Sequence, residues 1–181
     1  MKYTAVGLLM PLLLMINDAK LILVDFSKEI NATKWRVVDD VVMGGRSDGS
    51  MRVLHNEGIG VFSGIVSLEN NGGFSSIRRQ LRPVKIEDRK NIVLEIKGDG
   101  KNYQFRLRHQ MRDYHSYIYE FETSGEWETI TIPLNDMKPQ FRGRSLNMDN
   151  FEHDIFVEMA FLIGNKRAES FQLEIQEIFL E

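Results

Sequence analysis

Ile92-Val93-Leu94-Glu95-Ile96-Lys97-Gly98-Asp99-Gly100-Lys101-Asn102-Tyr103-Gln104-Phe105-Arg106-Leu107-Arg108 sets the fold class by its spacing. Apolar residues recur at every second position on both sides of a Gly-Asp-Gly turn. That is the period of a strand with one dry face, not the 3.6-residue period of a helix. Ile92, Leu94 and Ile96 point one way, as do Tyr103, Phe105 and Leu107, while Gln104, Arg106 and Arg108 face away from them. With the turn between them, the two runs read as an antiparallel hairpin with one wet face.

The same alternation extends in both directions. Leu21 to Phe26, Val61 to Leu68, His115 to Phe121, Trp127 to Ile132, Ile155 to Ile163 and Phe171 to Ile175 are strand-length and rich in β-branched and aromatic residues. Pro133 stops one of them. Pro133 to Asn150 is polar, with Phe141-Arg142-Gly143-Arg144 at its middle, and reads as a long loop with at most one helical turn. Strands at roughly ten-residue spacing without crossover helices predict an all-β antiparallel sandwich.

Two glycine signatures punctuate the pattern, Val42-Met43-Gly44-Gly45-Arg46-Ser47 and Asn70-Asn71-Gly72-Gly73-Phe74. Paired glycines mark backbone with positive φ, or a segment too close for a Cβ. The second pair, between two apolar runs, reads as a hairpin turn. The first reads as a bulge or surface loop, with Met43 a candidate exposed contact. Beside it stand Asp39 and Asp40. Adjacent strand residues point to opposite faces, so one of them is expected to accept hydrogen bonds from the glycine-loop N–H groups in preference to catalysis.

The 181 residues suit one domain with its own core, and the chain has no cysteine. Disulfides, thiolate metal sites and cysteine nucleophiles are therefore excluded. A net charge of −3 gives no overall attraction to nucleic acid. Any basic patch is local. Arg78, Arg79, Arg82 and Lys85, then Lys101, Arg106, Arg108 and Arg112, then Arg142 and Arg144 would form a positive face if their strands adjoin, neutralised in part by nearby carboxylates. Tyr103, Tyr117, Tyr119, Trp127 and Phe141 would serve as a platform for sugar rings only where they escape the core.

Gly58, Gly60 and Gly64 have the wrong spacing for a dinucleotide fingerprint, and strand residues follow where a helix should begin. The four histidines lack ligand spacing, so no metal, no cofactor and no catalytic residue is assigned. Residues 1–19, with Lys2, an apolar run from Ala5 to Ile16 and a polar break at Asn17-Asp18-Ala19, read as a signal peptide ahead of a single domain over 20–181. The alternatives are an uncleaved interfacial anchor and a strand of the fold. The run is shorter than the roughly 20 residues of a membrane span. An exported protein is expected, with membrane association as the alternative.

Set in order, Trp35, Asp39 to Ser47, Phe62-Ser63-Gly64, Asn71 to Phe74, Gly98 to Tyr103, Trp127 with Ile132-Pro133, and Phe141 to Arg144 resemble the complex I intermediate-associated protein 30 domain, over about Leu21 to Leu180. The resemblance implies a galactose-binding-like, jelly-roll β-sandwich, similar in architecture to certain carbohydrate-binding modules. It also implies a non-enzymatic, chaperone-like role in assembling respiratory NADH:ubiquinone oxidoreductase. Two functions follow: a binding module for protein partners such as membrane-complex subunits, or an exported carbohydrate-binding module. The candidate contact surface is Asp40, Met43, Gly44, Gly45 and Ser47, with Asn71, Gly72 and Gly73, and with Phe141, Arg142 and Arg144, should these loops share one end of the sandwich.

Overall fold

The computed structural model describes residues 20–40 and 44–181, so the expected leader and Met43 lie outside the described residues. Among the described residues thirteen strands form two antiparallel sheets. The six-stranded sheet contains β3 (Asp48–Leu54), β4 (Ile59–Val66), β13 (Glu169–Leu180), β6 (Asn91–Lys97) and β9 (Trp127–Pro133) in that order, with β1 (Leu21–Asp25) also paired to β13. The seven-stranded sheet runs β11 (Arg144–Ser145), β10 (Lys138–Phe141), β8 (Ser116–Glu122), β7 (Asn102–Arg108), β12 (Ile155–Ile163), β5 (Ser75–Lys85) and β2 (Arg36–Val37). The architecture is a jelly-roll sandwich. Among the described residues no helix is long and apolar enough to cross a membrane.

The core lies between the sheets, built from the alternating apolar positions of both. Phe26, Phe62, Tyr103, Phe105, Phe156 and Phe161 are its largest fully enclosed side chains. Each such burial contributes roughly 1.5–3 kcal/mol relative to exposure. Phe105 meets Phe161 edge-on at 5.2 Å, Phe62 meets Phe171 at 4.7 Å, and Trp35 stacks against Phe26 at 6.2 Å. Arg79 has the parity of the core face. It is accommodated by a buried ion pair with Glu29 at 2.6 Å and by lying over the Trp35 ring.

Neither glycine turn expected to close a hairpin does so. Gly98 to Lys101 carries the chain from β6 to β7, and Glu69 to Phe74 carries it from β4 to β5; each crosses from one sheet to the other. Alternation specifies which residues face the core. Both sheets share that core, so it does not specify which strand donates the ladder hydrogen bonds. The first crossing is fixed by side chains: Asp99 accepts from the Tyr103 hydroxyl at 2.9 Å and from the Gln172 N–H at 3.0 Å. Thr123 Oγ1 accepts from the Gly100 and Lys101 N–H groups. Burial, and then the charge of Asp99, keeps the Tyr103 phenol protonated well above its ordinary range.

Asp48 to Leu54, which the alternation did not single out, forms a true hairpin with β4, and the polar segment 133–150, read as a loop, holds β10 and β11 around Arg142-Gly143, both at positive φ. A 3-10 turn at Leu134–Asp136 is the helical turn expected there.

Candidate functional site

The glycine loops converge on Asp40, which is 1% exposed. Its carboxylate accepts from the Ser47 N–H at 3.1 Å, the Ser47 hydroxyl at 2.6 Å, the Gly73 N–H at 2.5 Å and the Phe74 N–H at 3.2 Å. Burial alone would raise the carboxyl pKa. The hydrogen bonds from Ser47, Gly73 and Phe74 outweigh it and hold the pKa below the usual value. Each glycine pair divides its work. Gly44 and Gly73 take φ of 90° and 141°. Gly45 and Gly72 lie so near Asp40 that a Cβ would sit 2.1 and 2.6 Å from its carboxylate oxygens. Asn70 ties the loops together by donating to the Gly44 carbonyl at 2.9 Å, while Asn71 is exposed at φ 61°. Asp39 serves the same region, accepting from the Gly49 N–H and the Ser75 hydroxyl. The carboxylates thus hold backbone in place.

Phe141, Arg142 and Arg144 lie at the opposite end of the sandwich, at the start of β8, where the exposed Phe141 and Tyr114 rings meet at 5.2 Å. The glycine loops sit where β5 begins and β12 ends. The two candidate groups therefore form separate surfaces. Near Phe141 the fold also gathers histidines that sequence spacing left apart: His109 and His153 stack at 3.9 Å, and His153 Nε2 is 2.8 Å from the Tyr117 hydroxyl. Burial, then the neighbouring His109, lowers the His153 pKa.

The outer face of the seven-stranded sheet is a third, polar surface. Tyr103, Phe105 and Leu107 turn into the core, so Gln104, Arg106 and Arg108 turn outward. Across β12 the register sets Glu158 beside Arg108, Ala160 beside Arg106 and Leu162 beside Gln104; on β5 the same residues adjoin Gln80, Arg78 and Ser76. Arg36 of β2 flanks Arg78. The expected positive face therefore forms from Arg78, Arg106 and Arg108, joined by Arg36. Arg79 and Lys101 are diverted into pairs with Glu29 and Asp99. At one end the face opens into a cavity of about 260 Å³ between Gln104, Glu120, Leu162 and Asn165.

The aromatics expected as a sugar platform do not lie on this face. Tyr103 and Tyr117 are buried, Tyr119 packs against the core, and Trp127 stands on the other sheet beside Lys97. Arg36 and Glu158 were not singled out from sequence. Arg36 follows a buried Trp, and Glu158 interrupts an apolar run; only the cross-strand register shows that both neighbour Arg78.

A two-sheet antiparallel jelly roll with a polar outer face places the chain in the class of β-sandwich domains. Within it, residues 24–175 match the family described as Complex I intermediate-associated protein 30, and the chain belongs to that family. No curated protein matches it. Among solved structures, it is similar to the family 11 carbohydrate-binding module from Clostridium thermocellum in complex with a β-1,3-1,4-mixed-linked tetrasaccharide, at 15% identity and TM-score 0.66 over 89% of this chain and 94% of that one. The family 11 module of the cellulosomal cellulase Lic26A-Cel5E of the same organism matches at 16% identity and TM-score 0.67, over 90% and 94% of the two chains. At these identities the likeness shows the fold.

Proposed function

We propose that this protein is a non-enzymatic binding module that holds a polysaccharide chain across the outer face of the seven-stranded sheet. The observation that carries this is the lining of that face. Forked and amide side chains, Arg78, Gln80, Gln104, Arg106 and Arg108, surround the small Ala160 with no exposed apolar anchor among them. Stable protein interfaces centre on desolvated aromatic or aliphatic anchors. A chain of hydroxyl-bearing sugar rings instead needs rows of donors and acceptors on a flat, pre-formed surface. The tetrasaccharide complex of the structurally similar module supports the reading.

Ala160→Trp tests it by filling the centre of the face, where Ala160, 4% exposed, lies among the arginine and glutamine side chains and outside the intersheet core cluster. Affinity electrophoresis through gels containing polysaccharide is expected to show retardation of the parent and none of the variant, with a cooperative thermal transition retained in both. Equal retardation of both would contradict the site.

A second reading, a protein-binding factor in the assembly of a membrane complex, draws on family membership and on the exposed Tyr114–Phe141 pair beside Arg142 and Arg144. It predicts co-purifying subunits that are lost on Phe141→Ser and kept on Ala160→Trp.

A further inference from the structure

The charge of the sheet face says more about the ligand than its shape does. One row of outward residues runs Arg36, Arg78, Ala160, Arg106, Ile118 and Lys138 across six adjacent strands. The next row sets Glu158 between Gln80 and Arg108. Glu158 Oε1 lies 3.5 Å from both the Arg78 and Arg108 guanidinium groups, so one carboxylate serves two cations. The Nε atoms of Arg78 and Arg108 are buried without a hydrogen-bond partner among the described residues.

Arg106 is less compensated still. Among the described residues no carboxylate lies within ion-pair distance of it, and its hydrogen-bond partner is Gln104 Oε1, which accepts from Nε at 3.0 Å and also from Nη2. Gln104 in turn donates to Glu120 at 2.7 Å. Gln104 thereby orients the guanidinium plane, and the other N–H donors have no hydrogen-bond partner among the described residues.

We infer that this face takes an acidic polysaccharide, a sugar chain bearing carboxylate or sulfate groups at intervals; the inference rests on the polysaccharide reading above. Three arguments carry it. Arginine forks match planar and tetrahedral oxyanions bidentately, and sugar hydroxyls do not require that concentration of cations. Arg78 and Arg106 are two strand spacings apart, about 10 Å, and the row from Arg36 to Lys138 spans about 24 Å. A small anion cannot bridge that row, whereas a repeating polyanion meets each guanidinium in turn. Tyr103, Tyr117, Tyr119 and Trp127, the candidates for stacking a neutral ring, are turned away from this face. Burial, then the charge of Arg78, lowers the Arg106 pKa to about 10, so it is charged at neutral pH and gains from an arriving anion. The chain as a whole is net negative, which confines the attraction to this face.

The test is calorimetric titration of the full chain with polygalacturonate, dextran sulfate, neutral mixed-linkage β-glucan and poly-glutamate. The parent is compared with Arg106→Gln, Ala160→Glu, Ala160→Trp and, on the opposite sheet, Lys97→Gln. Ala160→Glu keeps every arginine and places a carboxylate between Arg78 and Arg106, so its effect does not depend on losing an arginine from the fold. Binding to an acidic polysaccharide at least tenfold tighter than to the neutral glucan is expected. It should weaken with salt, fall at least tenfold in Arg106→Gln and Ala160→Glu, and stay unchanged in Lys97→Gln. Loss of binding below about pH 4 identifies carboxylates as the recognised groups, and retention identifies sulfates; either supports the inference. Neutral glucan bound as tightly, lost in Ala160→Trp but kept in Arg106→Gln, would overturn the acidic ligand and leave the site. Poly-glutamate bound as tightly as the acidic glycans, or no polysaccharide bound at all, would overturn both.

Discussion

Replacing Asp40 by Asn tests how the two glycine loops are held. The carboxylate accepts four hydrogen bonds within the protein, two of them short, at 2.5 and 2.6 Å. Asparagine has one carbonyl oxygen for these donors and turns an N–H₂ group toward the remainder. About two bonds are lost, and each unsatisfied buried donor costs about 1–3 kcal/mol, so a loss of about 3 kcal/mol is expected at neutral pH. For a domain of this size that corresponds to a fall of roughly 6–12 °C in melting temperature. The pH dependence gives a second signature. The folded pKa of Asp40 is lowered, so its stabilisation is present above the unfolded carboxyl value near 4 and is lost as pH falls through the folded value. Denaturant unfolding followed by Trp fluorescence from pH 7 down to pH 3.5 should show the gap between parent and Asp40→Asn narrowing at the acid end. A variant melting with the parent at pH 7, or a gap constant across the range, would refute the staple.

Gly98→Ala would bring its new Cβ to 2.2 Å from Thr123 Oγ1, disturbing the crossing between sheets; it should destabilise the fold by about 1–3 kcal/mol, measured as a shift in denaturant midpoint at constant slope. Glu29→Ala strands Arg79 in a site where it is 7% exposed, and about 3–5 kcal/mol should be lost in the same assay. Gly44→Val forces a β-branched residue to φ near 90°, where its Cβ would meet the Asn70 Cβ at an ordinary 3.9 Å; the cost, about 1–2 kcal/mol, would come from backbone strain and not from a clash at Cβ, and a calorimetric scan matching the parent would remove that argument.

The sandwich was legible because burial imposes period two on each strand, and that period survives in Tyr103-Phe105-Leu107 and in Ile155 to Ile163 without any knowledge of partners. Pairing was less legible. The turns at Gly98-Asp99-Gly100 and Gly72-Gly73 reverse the chain tightly, but either side of a sandwich satisfies the same inward pattern, and the crossings depend on Asp99, Thr123 and Asp40 reaching residues far along the chain. β3 escaped notice because its outward residues are polar and its inward ones include Gly49. The candidate site was legible in part. Gln104, Arg106 and Arg108 read as a wet face, and one of Asp39 and Asp40 as an acceptor for loop N–H groups. That Arg36, Arg78 and Arg106 lie in one row around Ala160 follows from register across strands distant in sequence, which no local pattern records.

Backbone amide NMR during titration with polygalacturonate oligomers, and in parallel with mixed-linkage glucan oligomers, locates the bound chain on the protein whichever sugar binds. Saturable shift changes at residues 76–80, 104–108 and 158–162, on three adjacent strands of the seven-stranded sheet, are the predicted result. Changes confined to the Gly44–Ser47 and Phe141–Arg144 ends or to the six-stranded sheet, or none with either oligomer, would contradict it.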